Sequence, residues 1–149
     1  MILPCHDDAQ TAESVATAVQ AVHDGRVIVL PTDTVYGVGA DAFQPDAVAA
    51  VLAAKGRGRH MPPPVLIPSI DTVLGLGMDV ADTATALMRE FWPGALTVIV
   101  TAQPSLAWDL GETGGTVALR VPDHPVALAV LKQTGPLAVT SANRTGQPA

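Results

Sequence analysis

Segments of helical period alternate along this chain with short runs of aliphatic and β-branched residues. That alternation constrains the fold more than any other feature, because strands that take turns with helices build an α/β sandwich around a largely buried sheet. In Thr11 to Asp24, Val15, Ala18, Val19 and Val22 recur at i, i+3, i+4 and i+7, which predicts a helix with Thr11 as N-cap and Gly25 as its stop. Val27 to Leu30 is an unbroken apolar run, as expected of a strand buried on both faces. Pro31 to Gly39 reads as a polar loop leaving it. Pro45 to Ala54 predicts a second helix, with proline suited to its first turn.

Lys55 to Pro64 holds Gly56, Gly58 and three successive prolines, so it reads as an irregular loop. Further strands are expected at Val65 to Ile67, Leu96 to Val100, Thr116 to Val121 and Leu137 to Thr140. Helices are expected at Asp82 to Phe91, stopped by Trp92-Pro93-Gly94, and at Pro125 to Gln133. Gln103 to Gly115 reads as irregular. No repeat or linker interrupts the series, and 149 residues suit one domain. Aromatics make up only 3% of the chain, so the core has to be aliphatic.

Charge narrows the chemistry. The net charge of -6 argues against a nonspecific nucleic-acid binder, whose affinity comes from neutralising phosphates. Three of the eight cations nonetheless cluster at Lys55, Arg57 and Arg59, while Arg120 and Arg144 lie beside other polar motifs. Cations gathered in the loops of an acidic chain suit a small anion, the alternative being a set of solvated surface charges. No apolar run is long enough to cross a bilayer, the N-terminus lacks a basic leader, and the single Cys5 has no cysteine to pair with; together these favour the cytoplasm.

Three polar loops hold the candidate chemistry. Pro31-Thr32-Asp33-Thr34-Val35-Tyr36-Gly37 offers hydroxyls, a carboxylate and a phenol, which bind a small polar ligand or stabilise a turn. Lys55-x-Arg57 offers a point charge and a bidentate fork for phosphate. Ser141-x-Asn143 offers a hydroxyl and an amide just past a strand, to contact a nucleotide or to cap a turn. Other patterns are weak. Gly37-x-Gly39-x-x-Ala42 is separated from its strand by the polar loop, no phosphate-binding G-x-x-x-x-G-K-[ST] occurs, and the four histidines lack metal-site spacing. Cys5 has no paired base, and Trp92 and Trp108 read as core or turn anchors.

Taken in order, Pro31-Thr32-Asp33-Thr34-Val35-Tyr36-Gly37, Lys55-x-Arg57, Phe91-Trp92-Pro93-Gly94-Ala95-Leu96-Thr97, Val117-Ala118-Leu119-Arg120-Val121-Pro122 and Ser141-Ala142-Asn143-Arg144-Thr145-Gly146 resemble the YrdC-like L-threonylcarbamoyladenylate synthases. The series covers almost the whole chain. The resemblance implies a twisted sheet of mixed parallel and antiparallel strands with flanking helices, curved around a concave, positively lined cavity. It implies a nucleotidyltransferase that makes threonylcarbamoyl-AMP and pyrophosphate from L-threonine, bicarbonate or CO2, and ATP, for threonylcarbamoyladenosine modification of tRNAs that read ANN codons. Mg2+ would ride on the ATP phosphates with no protein metal site, and a separate threonylcarbamoyl-transferase complex acting on tRNA would take the product.

By the same resemblance, Lys55 and Arg57 would be catalytic and would hold ATP with Ser141 and Asn143. Thr32, Thr34, Tyr36, Thr116, Arg120 and Thr140 would border the threonine and carbamate pocket. Departures stand at Gly58, Met61 and Leu66, where family members often carry Pro, Asn and His. Family domains also continue past the S-x-N loop, so residues 1–149 are expected to form a YrdC-like domain without its last elements. Two alternatives come with the resemblance: a module binding double-stranded RNA or tRNA without turnover, and a related transfer domain of hydrogenase-maturation carbamoylation enzymes.

Overall fold

The computed structural model describes residues 1–149. Helix α1 (Asp8–His23) leads into β1 (Ile28–Leu30) and β2 (Gly37–Asp41), followed by α2 (Pro45–Lys55) and β3 (Val65–Leu66). A 3-10 turn and the short α3 (Val73–Leu76) precede α4 (Asp82–Phe91), β4 (Val98–Thr101), β5 (Thr116–Arg120), α5 (Pro125–Thr134) and β6 (Leu137–Ser141). The six strands form one sheet in the order β1-β2-β6-β3-β5-β4. Only β3 and β5 run parallel; every other neighbouring pair is antiparallel, so the sheet is mixed, as expected.

Side-chain alternation sends successive strand residues to opposite faces. On one face Leu30, Leu66, Leu137 and Val139 meet Val15, Val19 and Val22 of α1 and Ala127, Val130 and Leu131 of α5. On the other, Val65, Val117, Leu119, Val100 and Ala138 pack with Val48, Val73, Leu76 and Met88, and a third cluster joins Val38 and Ala40 to α2. Each side chain buried this way stabilises the fold by about 1.5–3 kcal/mol relative to leaving it in water.

Several expectations shift. The N-cap of α1 is Asp7, which accepts from the Gln10 amide at 2.8 Å, so the helix starts three residues before Thr11. Residues Gly37 to Gly39, expected in a loop, open β2, which pairs with both β1 and β6. The run at Val27 to Leu30 is not covered on both faces. β1 is an edge strand, and Val29 stands 63% exposed. At the opposite edge, Ile99 of β4 is 68% exposed on the face where α1 and α5 stop short of β5 and β4. No helix is long and apolar enough to cross a membrane.

Candidate functional site

Three elements converge around a cavity of about 220 Å³ that includes Thr32, Thr34, Gly37, Leu66, Arg120, Thr140 and Ser141 in its wall. The segment after β1 supplies the threonines, the last residue of β5 supplies Arg120, and the end of β6 supplies Thr140 and Ser141. Gly37 pairs with Ser141 and Leu66 with Arg120, so the strand registers bring these residues to one place.

The Arg120 guanidinium is held at three points. Its Nε donates to the Gly94 carbonyl at 2.8 Å, one terminal nitrogen donates to Thr34 Oγ1 at 3.2 Å, and the other to Asp33 Oδ1 at 2.5 Å. The ion pair is largely shielded, with side chains 12% and 17% exposed. Thr32 braces the same loop: its hydroxyl donates to the Val35 carbonyl at 2.6 Å, accepts from the Thr34 amide at 3.2 Å and lies 3.1 Å from the Thr34 hydroxyl. Gly94 ties the turn after α4 to this strand end, because its amide also donates to the Val121 carbonyl at 2.8 Å.

Lys55, the last residue of α2, reaches across to the end of β6. Its ammonium donates to the Ser141 carbonyl at 2.6 Å and to Ser141 Oγ and Asn143 Oδ1, each at 3.2 Å, and also contacts the Asn143 carbonyl. The residue is only 2% exposed. An ammonium has three N–H donors, so four oxygens saturate it. Burial, with the nearby Arg57 charge, pushes the Lys55 ammonium below the ordinary lysine value. The Lys55 carbonyl accepts from the Thr145 amide at 3.0 Å, and Asn143 Nδ2 donates to the Gln147 carbonyl at 2.6 Å. Helix α2 and the loop after β6 are therefore stapled together by side chain and backbone alike.

Arg57 lies two residues beyond the α2 terminus, after Gly56 in the left-handed conformation at φ 62° that ends the helix. It faces a second cavity of about 250 Å³ between α2 and the Arg59 and Asp109 loops. Its Nε is buried without a hydrogen-bond partner, and it has no ion pair. The neighbouring Arg59 is already committed to Asp109 by two bonds of 2.8 and 2.9 Å, which hold the Asp109 carboxyl below its usual range.

Of the ten residues singled out from sequence, Thr32, Thr34, Arg120, Thr140 and Ser141 share the first cavity, and Lys55 and Asn143 join it through Ser141. Arg57 opens on the second cavity, which shares no lining residue with the first. Tyr36 does not line the cavity. Its side chain projects outward, the residue 65% exposed, and its carbonyl accepts from the Ala142 amide at 2.8 Å. Thr116 lies apart from the cavity: it begins β5 opposite Thr101, whereas Arg120 ends the strand, about 13 Å away at the usual rise per residue. Its hydroxyl bonds the Thr113 carbonyl at 2.9 Å instead. Asp33 and Gly94 both lie inside the quoted motifs, but nothing in those motifs marks either as a partner of Arg120.

Chemically, the first cavity presents one oriented guanidinium among small hydroxyls, a setting for a small carboxylate that also carries hydrogen-bonding groups. Residues 20–149 match the Sua5/YciO/YrdC family, described as "Telomere recombination". A Mycobacterium leprae protein provisionally named threonylcarbamoyl-AMP synthase is 55% identical over 99% of this chain and 67% of its own length. Threonylcarbamoyl-AMP synthase of Bacillus subtilis is 42% identical over 90% of this chain, which spans 39% of that protein. The crystal structure of Pyrococcus abyssi Sua5 complexed with L-threonine superposes with a TM-score of 0.85 at 34% identity, covering 92% of this chain and 41% of that one.

Proposed function

Since the chain belongs to the Sua5/YciO/YrdC family, we propose that it carries the threonylcarbamoyl-AMP synthase reaction: L-threonine, bicarbonate or CO2, and ATP give threonylcarbamoyl-AMP and pyrophosphate. The observation that carries the reading is the placement of Arg120 with Thr32, Thr34, Thr140 and Ser141 around one amino-acid-sized cavity whose wall is joined through Ser141 to Lys55. Arg120 would take the carboxylate of threonine, and the hydroxyls of Thr32, Thr34 and Thr140 would orient its amine and side chain. The amine and CO2 form a carbamate, whose oxygen attacks the α-phosphorus of ATP as pyrophosphate leaves. No protein nucleophile enters this scheme. What it asks of the chain is placement and compensation of charge.

Arg57, with no carboxylate on its guanidinium, would meet the triphosphate from the α2 side, and Ser141 and Asn143 would touch the nucleotide from the end of β6. Lys55 would contribute its charge, and its grip on residues 141 to 143 would keep that loop in position. No group of three His, Cys, Asp or Glu side chains comes together to hold a metal ion. A Mg2+ ion would arrive on the phosphates, where its charge would offset that of the leaving pyrophosphate. The product would pass to a threonylcarbamoyl-transferase acting on tRNA, in the cytoplasm. An RNA-binding module without turnover is disfavoured by the net charge of -6.

The test is pyrophosphate release by the 149-residue chain. It should appear only when ATP, threonine and bicarbonate are all present; release that ignores threonine would refute the proposal. Arg57→Ala should lower kcat/KM for ATP about 10–100-fold, the worth of one charge-assisted hydrogen bond. Unchanged ATP kinetics would show that Arg57 serves its own cavity and not the nucleotide.

A further inference from the structure

The geometry points to Asp33 as a positioning residue for Arg120, setting how the guanidinium is presented to the cavity. The inference rests on the proposed reading only where it names threonine as the ligand. Asp33 does not line the cavity, whereas Arg120 does. The Asp33 carboxylate lies behind the guanidinium, 2.5 Å from one terminal nitrogen, while Thr34 holds the other and Gly94 holds Nε.

A guanidinium has five N–H donors, and three of them are committed here. One N–H remains on each terminal nitrogen. Without Asp33, no acceptor on the protein holds the second terminal nitrogen, and the rotation of that NH2 group about its C–N bond is restrained only by the bond's partial double-bond character. A carboxylate arriving from the cavity would then have to order the group it binds, and that lost freedom reduces affinity. Asp33 also offsets the charge of Arg120 in a shielded position, where an uncompensated guanidinium is costly. These two effects oppose each other in ligand binding. Removing a negative charge would by itself strengthen the hold on an anion, and loss of orientation would weaken it. With each of the three nitrogens held by its own acceptor, orientation is the larger effect.

The experiment has two arms. In the first, 15N NMR follows the guanidinium of ligand-free Arg120, assigned by comparison with Arg120→Lys. The native chain should show restricted rotation of the terminal nitrogens, Asp33→Asn should lose it, and Asp33→Glu should keep most of it. Identical signals in the native chain and Asp33→Asn would overturn the inference whatever the reaction proves to be. In the second arm, Asp33→Asn should raise half-saturation for threonine about 10–100-fold and leave that for ATP unchanged. In an Arg120→Ala background the same substitution should add nothing. A tighter hold on threonine, or an equal loss in that background, would overturn it. If Asp33→Asn does not fold, Asp33→Ala decides: lost restriction with a rise in threonine half-saturation alone supports the role, and unchanged rotation or no rise removes it. Restricted rotation that depends on Asp33 in a chain with no threonine-dependent activity would uphold the positioning role and refute the proposed function.

Discussion

Gly94 is the smallest residue with a large part in the site. Its amide and carbonyl both face the end of β5, one bonding Val121 and the other Arg120. A Cβ built on it would stand 2.5 Å from the Phe91 carbonyl oxygen, a backbone atom that cannot swing aside. Gly94→Ala therefore has to move the turn, and with it the acceptor for Arg120 Nε. Overpacking of this kind costs about 1–3 kcal/mol. Urea unfolding should show that loss, and on the proposed reading half-saturation for threonine should rise with it. A variant as stable as the native chain would mean that the turn relaxes without strain. At this scale the sequence was informative about residue types and silent about partners. Thr32, Thr34, Arg120 and Ser141 are legible as a set because the motifs that hold them follow one another in the order of the family they resemble. Asp33 and Gly94 were not given roles, because an ion pair spanning 87 positions and a carbonyl acceptor leave no mark on composition or period.

α2, α4 and α5 are legible almost to the residue, because their apolar period and their terminal Pro and Gly act locally, whereas α1 begins three residues early and the 3-10 turn and α3 leave no such pattern. α4 and the start of α5 fall where the pattern puts them, and α2 runs one residue longer. The strands were harder. An unbroken apolar run does not tell an edge strand from a central one, and so Val29, at the edge, was expected to be buried. The first three residues of β2 read as loop because their glycines look like turn residues. Their purpose is steric. A Cβ on Gly39 would meet Val139 Cγ2 at 2.6 Å and the Ala138 carbonyl at 3.1 Å, so a close crossing against β6 requires a bare Cα. Gly39→Ala should push β2 away from β6 at that point. A destabilisation of about 1–3 kcal/mol by denaturant titration is expected, and hydrogen exchange should quicken at the β2 and β6 amides. Protection unchanged across both strands would show that Val139 simply changes rotamer.

At the scale of the whole molecule, Lys55 is the point where local and distant structure meet. It ends α2, is buried, and holds the loop after β6 through contacts spanning 86 to 88 positions. Burial is the main reason its ammonium titrates below the ordinary value of 10.5, and the charge of Arg57 adds to it. The sign of the pH dependence follows from proton binding. Between its lowered native value and 10.5, the unfolded chain binds more protons at this site than the folded one. Stability contributed through Lys55 therefore rises with pH across that window and is flat below it. Lys55→Met removes the titration and also leaves the Ser141 and Asn143 oxygens without their donor, at about 1–3 kcal/mol for each buried group left unpaired. Denaturant unfolding of both chains, repeated from neutral pH towards 10.5, separates the two effects. The variant should be the less stable throughout, and the gap should widen as the pH rises. A gap that narrows instead would place the native value above the ordinary one. The four oxygens around the ammonium would then outweigh its burial, and the staple between α2 and the loop would be strongest in its charged form.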